Sequence, residues 1–158
     1  MLKNKLFKKY KSGFTLLELM IAVGVLVVAL VGLLGVFAHL MLLNEDSSKL
    51  TLAVTACQAK LEEMRNSSFS TLYSNYNGTS GVFNPAGFSS GEAKGAISIN
   101  NSNQKLLQIF VSVSWMTRAN RVVGEDKNLN GVLDAGEDSN ANGRLDSPGQ
   151  IATLMAQR

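Results

Sequence analysis

From Leu19 to Ala38 the chain reads LMIAVGVLVVALVGLLGVFA, twenty residues without one polar side chain. At about 1.5 Å per residue this run matches the roughly 30 Å hydrocarbon core of a bilayer. A cylinder that is apolar on every side cannot lie on the surface of a small soluble domain, so the run predicts a transmembrane helix. The segment before it, MLKNKLFKKYKSG at residues 1–13, carries Lys3, Lys5, Lys8, Lys9 and Lys11 and no acid. Lysine clusters of this kind stay cytoplasmic, which sends the C-terminal body outward. A cleaved secretory signal has a shorter apolar region, about 7 to 15 residues, ending at a small-residue site. This run is longer and lacks an A-x-A end. An uncleaved signal anchor fits the hydropathy equally well.

An anchor does not explain Glu18. It stands among Phe14, Leu16, Leu17, Leu19 and Met20 at the start of the apolar helix, and an acid there is costly unless it has a partner. In the uncut chain no cation shares its helical face, since Lys11 is seven residues back and beyond Gly13. Lys11, Ser12 and Gly13, followed by Phe14, Thr15, Leu16, Leu17, Glu18 and an unbroken apolar helix, resemble the class III signal of type IV prepilins and type II secretion pseudopilins. The resemblance implies that a membrane-embedded prepilin peptidase cuts between Gly13 and Phe14 on the cytoplasmic side and methylates the new amino terminus. Cutting turns the neutral amide nitrogen of Phe14 into a cationic amine, which Glu18 can meet on a neighbouring subunit. The protein is then expected as a single-pass inner-membrane protein with its N-terminus cytoplasmic. From there it would join other pilin subunits, through the N-terminal helix, in an extracellular pilus or a periplasmic fibre.

Charge is consistent with this processing. The whole chain has 15 basic and 12 acidic residues. Removing the leader leaves ten basic against twelve acidic and a formal charge of −2. The basic excess is a topology signal, so no nucleic-acid partner is expected. The single cysteine, Cys57, forbids an intramolecular disulfide. It lies on an apolar stripe with no histidine nearby and reads as an inert core thiol. His39 has no second ligand at metal spacing and reads as an interfacial residue.

Beyond the polar stretch NEDSSK at 44–49, apolar residues recur at Leu50, Val54, Cys57, Leu61 and Met64. Spacings of four and three make one helical stripe, and helix-forming residues carry it to about Arg65. The helix is thus expected over 14–65, with a membrane part at about 14–43. Residues 67–95, rich in Ser, Gly and Asn, are expected to be a long loop anchored by scattered aromatics. GAISIN at 95–100 predicts a short strand. Leu107, Ile109, Val111, Val113 and Trp115 alternate with their neighbours and predict a half-buried strand. QIATLMA at 150–156 predicts another. The fold class is therefore α+β: a long N-terminal transmembrane helix packed on a small antiparallel sheet formed within residues 66–158. The pilin resemblance implies the same architecture.

Ala53, Ala56, Lys60, Leu61, Glu62, Met64, Arg65 and Phe69, with the later VSVSW, resemble the PilV-type minor pilins of the type IV pilus modification group. Major pilins often kink the membrane helix with a proline, whereas here no proline precedes Pro85. That departure favours a minor subunit and leaves a type II secretion pseudopilin open.

An insertion at 125–146 contains a tandem repeat: DKNLNGVLD, and twelve residues later DSNANGRLD, identical at six of nine positions. Asp, Asn and Asn at alternate positions followed by glycine aim hard oxygen ligands inward around a sharp turn, as a calcium loop requires. Asp126, Asn128, Asn130, Asp134 and Glu137, with the backbone carbonyl of Val132, complete D-x-[DN]-x-[DN]-G-x5-E. In the second copy, Asp138, Asn140, Asn142 and Asp146 are present but Gly149 stands at the twelfth position. That site is incomplete unless neighbours contribute. Ca2+ is thus the expected cofactor, with one site and an incomplete second; a solvated acidic turn is the alternative. Gly124, Gly136 and Gly149 leave no room for flanking helices, so the segment resembles isolated calcium loops rather than an EF-hand pair.

No triad, acid pair or catalytic metal spacing occurs, so an enzyme is the least supported class. Two classes remain: a structural fibre subunit that serves in assembly initiation or modification, and a signal-anchored calcium-dependent binding protein.

Overall fold

The computed structural model describes residues 13–103 and 105–157; the leader lysines and Ser12 lie outside them. The chain divides into two compact units, Met1–Leu43 and Asn44–Arg158. Helix α1 (Leu16–Arg65) begins in the first unit and ends in the second. Among the described residues, all from Gly13 to Leu43 are exposed. By length and composition, α1 is the one helix among the described residues able to cross a membrane.

In the second unit the C-terminal part of α1 packs on a small antiparallel sheet, which is the α+β arrangement expected. Strand β1 (Ala93–Asn103) and strand β2 (Leu106–Met116) form a hairpin in which Ala93 faces Trp115 and Ile99 faces Ile109. On the other side of β2 lie two strands in line. Strand β3 (Val122–Val123) pairs with Trp115 and Met116, and strand β4 (Gly149–Ala156) pairs with Leu106 to Val113. Leu107, Ile109, Val111 and Val113 turn to the helix and are buried, while Gln108 faces water. The alternation stops at Ser112, where both faces of β2 are covered. The Ser112 hydroxyl donates to the Leu145 carbonyl at 2.8 Å, and Ser147 donates to the Val113 carbonyl. The segment between β3 and β4 therefore folds back over the outer face of the sheet.

The stripe on α1 is rotated from its expected setting. Ala53, Ala56, Cys57, Leu61 and Met64 are buried, but Leu50 is 37% exposed and Val54 only half-buried. The reason is the closeness of helix and sheet. A Cβ placed on Gly149, the first residue of β4, would lie 2.7 Å from the Ala53 Cβ, so only small side chains fit along the contact. Cys57 shares this seam, and its thiol donates to the Gly149 carbonyl at 3.4 Å. Burial pushes that thiol up to about 12.

The polar stretch at 44–49 does not interrupt α1. Its Lys49 ammonium lies 2.6 Å from Glu92 Oε1 and 3.5 Å from Glu45 Oε1, and donates to the Met116 carbonyl at 2.8 Å. One cation thus ties the helix to the start of β1 and the end of β2. Burial alone would lower the Lys49 ammonium, but Glu92 and Glu45 outweigh it and hold it above its ordinary range.

The stretch expected to be a loop contains helix α2 (Phe69–Tyr76) and a 3₁₀ turn at Gly78–Gly81. Phe69, Leu72 and Tyr76 recur at i, i+3 and i+7, and Leu72 is buried in the core, which supplies the stability that eight residues lack alone. Polar serines and asparagines between these anchors masked the period. Beyond α2, the Asn77 side chain accepts the Ile99 N–H at 2.9 Å and covers part of the β1 edge.

Candidate functional site

Two regions carry chemistry, and each belongs to a different unit. At the N-terminal end, Gly13 is exposed, and a Cβ added to it meets nothing within 4 Å. Phe14 is 83% exposed. The Thr15 hydroxyl accepts the Glu18 N–H at 3.2 Å and so caps the start of α1. Glu18 therefore lies in the first turn, where an acid also complements the helix dipole. A helix-start role for this acid stands beside the pairing role that the resemblance implies. Lys3, Lys5, Lys8, Lys9 and Lys11 fall outside the described residues.

The second region is the duplicated segment, and its two copies adopt the same local structure. In the first copy, Asp126 Oδ1 accepts the Asn130 N–H at 3.0 Å and Oδ2 accepts the Gly131 N–H at 2.8 Å. In the second, Asp138 Oδ1 accepts the Asn142 N–H at 3.0 Å and Oδ2 the Gly143 N–H at 2.8 Å. Leu129 and Ala141, twelve residues apart, both take φ 56°, and Gly131 and Gly143 follow at φ 78° and 77°. Such a left-handed pair needs glycine at its second place, which is why the repeat keeps it.

Three side chains converge inside each copy. The Asn128 and Asn130 amides donate to one oxygen of Asp134 at 2.8 and 2.7 Å. The Asn140 and Asn142 amides donate to one oxygen of Asp146 at 2.8 and 2.6 Å. Each such amide also carries an oxygen acceptor on the same planar group. Asn130 Oδ1 accepts the Val132 N–H at 2.6 Å, so Val132 lies at the turn where its carbonyl was expected as a ligand. Among the described residues no three His, Cys, Asp or Glu side chains form a metal cluster; the convergence is one carboxylate with two carboxamides.

Charge in this segment is poorly compensated. Residues 125–146 hold six acids against Lys127 and Arg144. Arg144 pairs with Asp146 at 2.9 Å and stacks 3.9 Å from the Phe110 ring centroid. The Lys127 ammonium instead donates to the Gly136 carbonyl at 2.8 Å. Asp126 is 1% exposed and Glu137 4%, yet neither has an ion-pair partner among the described residues. Burial raises the Asp126 carboxyl above its ordinary value; the Gly131 and Asn130 N–H groups oppose that, and the Glu137 charge adds to it. At Asp146 burial acts in the same sense, but the Asn140 and Asn142 amides and the Arg144 guanidinium outweigh it and hold the carboxyl low. A buried carboxylate pair facing neutral donors suits a hard, oxygen-seeking cation.

One residue of this region was not legible as a candidate. Glu125 precedes the first copy, yet it accepts the Ser139 N–H at 3.0 Å and the Asp146 N–H at 2.9 Å in the second. The signal was present in the repeat, which also matches at Gly124-Glu125 and Gly136-Glu137.

No curated protein and no solved structure matches the chain. One family model does, over residues 8–34, from Lys8 through most of the apolar run. Together with the bare helix of the first unit and the helix-on-sheet body of the second, the match identifies residues 8–34 as a prokaryotic N-terminal methylation motif, the class III signal of type IV pilins.

Proposed function

We propose that this chain is a structural fibre subunit, cut between Gly13 and Phe14 by prepilin peptidase, with an outward-facing body ordered by Ca2+. A type IV minor pilin is the preferred form, with a type II secretion pseudopilin as its near relative. The observation that carries the reading is the methylation motif joined to an open Gly13. Among the described residues nothing crowds Gly13, so its smallness suits an outside agent that must grip the backbone. The bare apolar face from Phe14 to Leu43 supports the rest. Such a helix needs lipid before assembly, and it offers neighbouring subunits a packing surface afterwards. Calcium is supported by the complete loop motif and by the buried carboxylates of Asp126 and Glu137, which have backbone N–H partners but no ion-pair partner among the described residues.

Mass spectrometry of the protein from its native host tests the reading. The mature chain should begin at Phe14 with a methylated amine. A chain retaining Met1 to Gly13 would reject the fibre subunit and favour the signal anchor. Gly13→Val should leave the leader attached and the protein in the inner membrane.

A further inference from the structure

We propose that residues 125–146 form a reciprocal two-ion site, in which Glu137 closes the loop begun by Asp126 and Glu125 closes the loop begun by Asp138. The inference rests on the calcium reading above and assigns the ligand that the second loop lacks.

Gly149, at the twelfth position of the second copy, is committed elsewhere. It opens β4, faces Val113 in the sheet, and lies so close to Ala53 that a side chain has no space. The twelfth ligand of that loop must come from another part of the chain. Glu125 is placed to supply it. Glu137 Oε1 accepts the N–H of Lys127, second in the first loop, at 2.8 Å, and Oε2 accepts that of Asp134, ninth, at 3.1 Å. Glu125 Oε1 accepts the N–H of Ser139, second in the second loop, at 3.0 Å, and Oε2 accepts that of Asp146, ninth, at 2.9 Å. Each glutamate directly precedes the first ligand of one loop while gripping the second and ninth positions of the other.

Charge points to the number of ions independently of these bonds. Six acids less two bases leave four negative charges on residues 125–146, the sum that two divalent cations neutralise. Part of that charge is out of water, at Asp126 and Glu137, where backbone N–H groups are the partners and no cation pairs with it among the described residues. Because Glu125 adjoins Asp126 and Glu137 adjoins Asp138, an ion in either loop orders the backbone that starts the other. Binding is therefore cooperative, with a coupling of about fivefold or more.

The test is calcium titration by calorimetry on the full chain in detergent micelles, with circular dichroism to check folding. The wild type should bind two ions. Glu125→Gln should bind one, with affinity at the remaining loop reduced about fivefold or more, and Asp138→Asn should lose the same ion without touching the Glu125 grip. Two ions retained in Glu125→Gln would overturn the reciprocal site. So would a wild type that binds one ion, lost in Glu137→Gln but kept in Glu125→Gln; the calcium reading would survive that result. A wild type that binds no calcium would overturn both.

Discussion

Glu125 and Asp146 hold each other by two hydrogen bonds: the Asp146 N–H donates to the Glu125 carboxylate, and the Glu125 N–H donates to the Asp146 carbonyl, both at 2.9 Å. The first and last acids of the duplicated segment are thereby fastened together. A stretch without helices or strands of its own keeps a defined shape, and it is seated on the outer face of β2 through Ser112 and Ser147.

Calcium should tighten this segment further. Loops without flanking helices resemble extracellular modules with affinities of roughly 10⁻⁴ to 10⁻³ M. At 10 mM calcium one such site adds about 1.4 to 2.7 kcal/mol to stability, a rise in Tm of about 5 °C or more. Limited proteolysis within 125–146 should slow in parallel, and Asp126→Ala with Glu137→Ala should remove both effects. If millimolar calcium alters neither, the segment is an acidic turn.

Glu18 can be tested by a substitution that separates its two roles. Thr15 caps α1 through the backbone N–H of residue 18, which glutamine keeps, so Glu18→Gln should leave the start of α1 intact and the leader still cut. It cannot pair with a cationic amine. Fibre incorporation, measured by immunoblot of sheared fibres against wild type, should fall about tenfold, equivalent to roughly 1.4 kcal/mol. Unchanged incorporation would reduce the acid to a helix-start residue.

The Lys49 clamp should show in the pH dependence of stability. Lys49 is held above its ordinary value of 10.5, so its contribution is complete below that value and is lost as pH rises through the raised one. Glu92 is held below 4.5, chiefly by the Lys49 hydrogen bond, so its contribution is complete above 4.5 and is lost as pH falls through the lowered value. The clamp therefore acts fully between these limits. Lys49→Met should cost about 1.5 to 3 kcal/mol at neutral pH and less at either extreme. A uniform loss at every pH, read by thermal denaturation, would attribute the effect to packing instead.

Cys57 should resist alkylation in the folded protein. With its thiol pushed up to about 12, only about one molecule in ten thousand carries the thiolate at pH 8. Iodoacetamide at pH 8 should label it only after denaturation. Rapid labelling of the native protein would mean that the seam between α1 and β4 opens readily.

The amino-acid sequence by itself determined what depends on short-range pattern. The apolar run and the Lys11-to-Glu18 motif define the long apolar helix and its signal, and alternation from Leu107 to Trp115 defines β2. A twelve-residue duplication defines the loop. Tertiary structure decided what depends on distances between remote residues. The period of α1 shows that one stripe is buried, but the approach of Gly149 selects Ala53 and Ala56 over Leu50 and Val54. Helix α2 persists because Leu72 reaches a core made of other elements. Motif spacing counts forward from Asp138 to Gly149, whereas the acid that grips the backbone of the second copy is Glu125. Chain order does not reveal that partner, because a hydrogen bond between Glu125 and Asp146 spans 21 residues and exists only once the segment has folded back on itself.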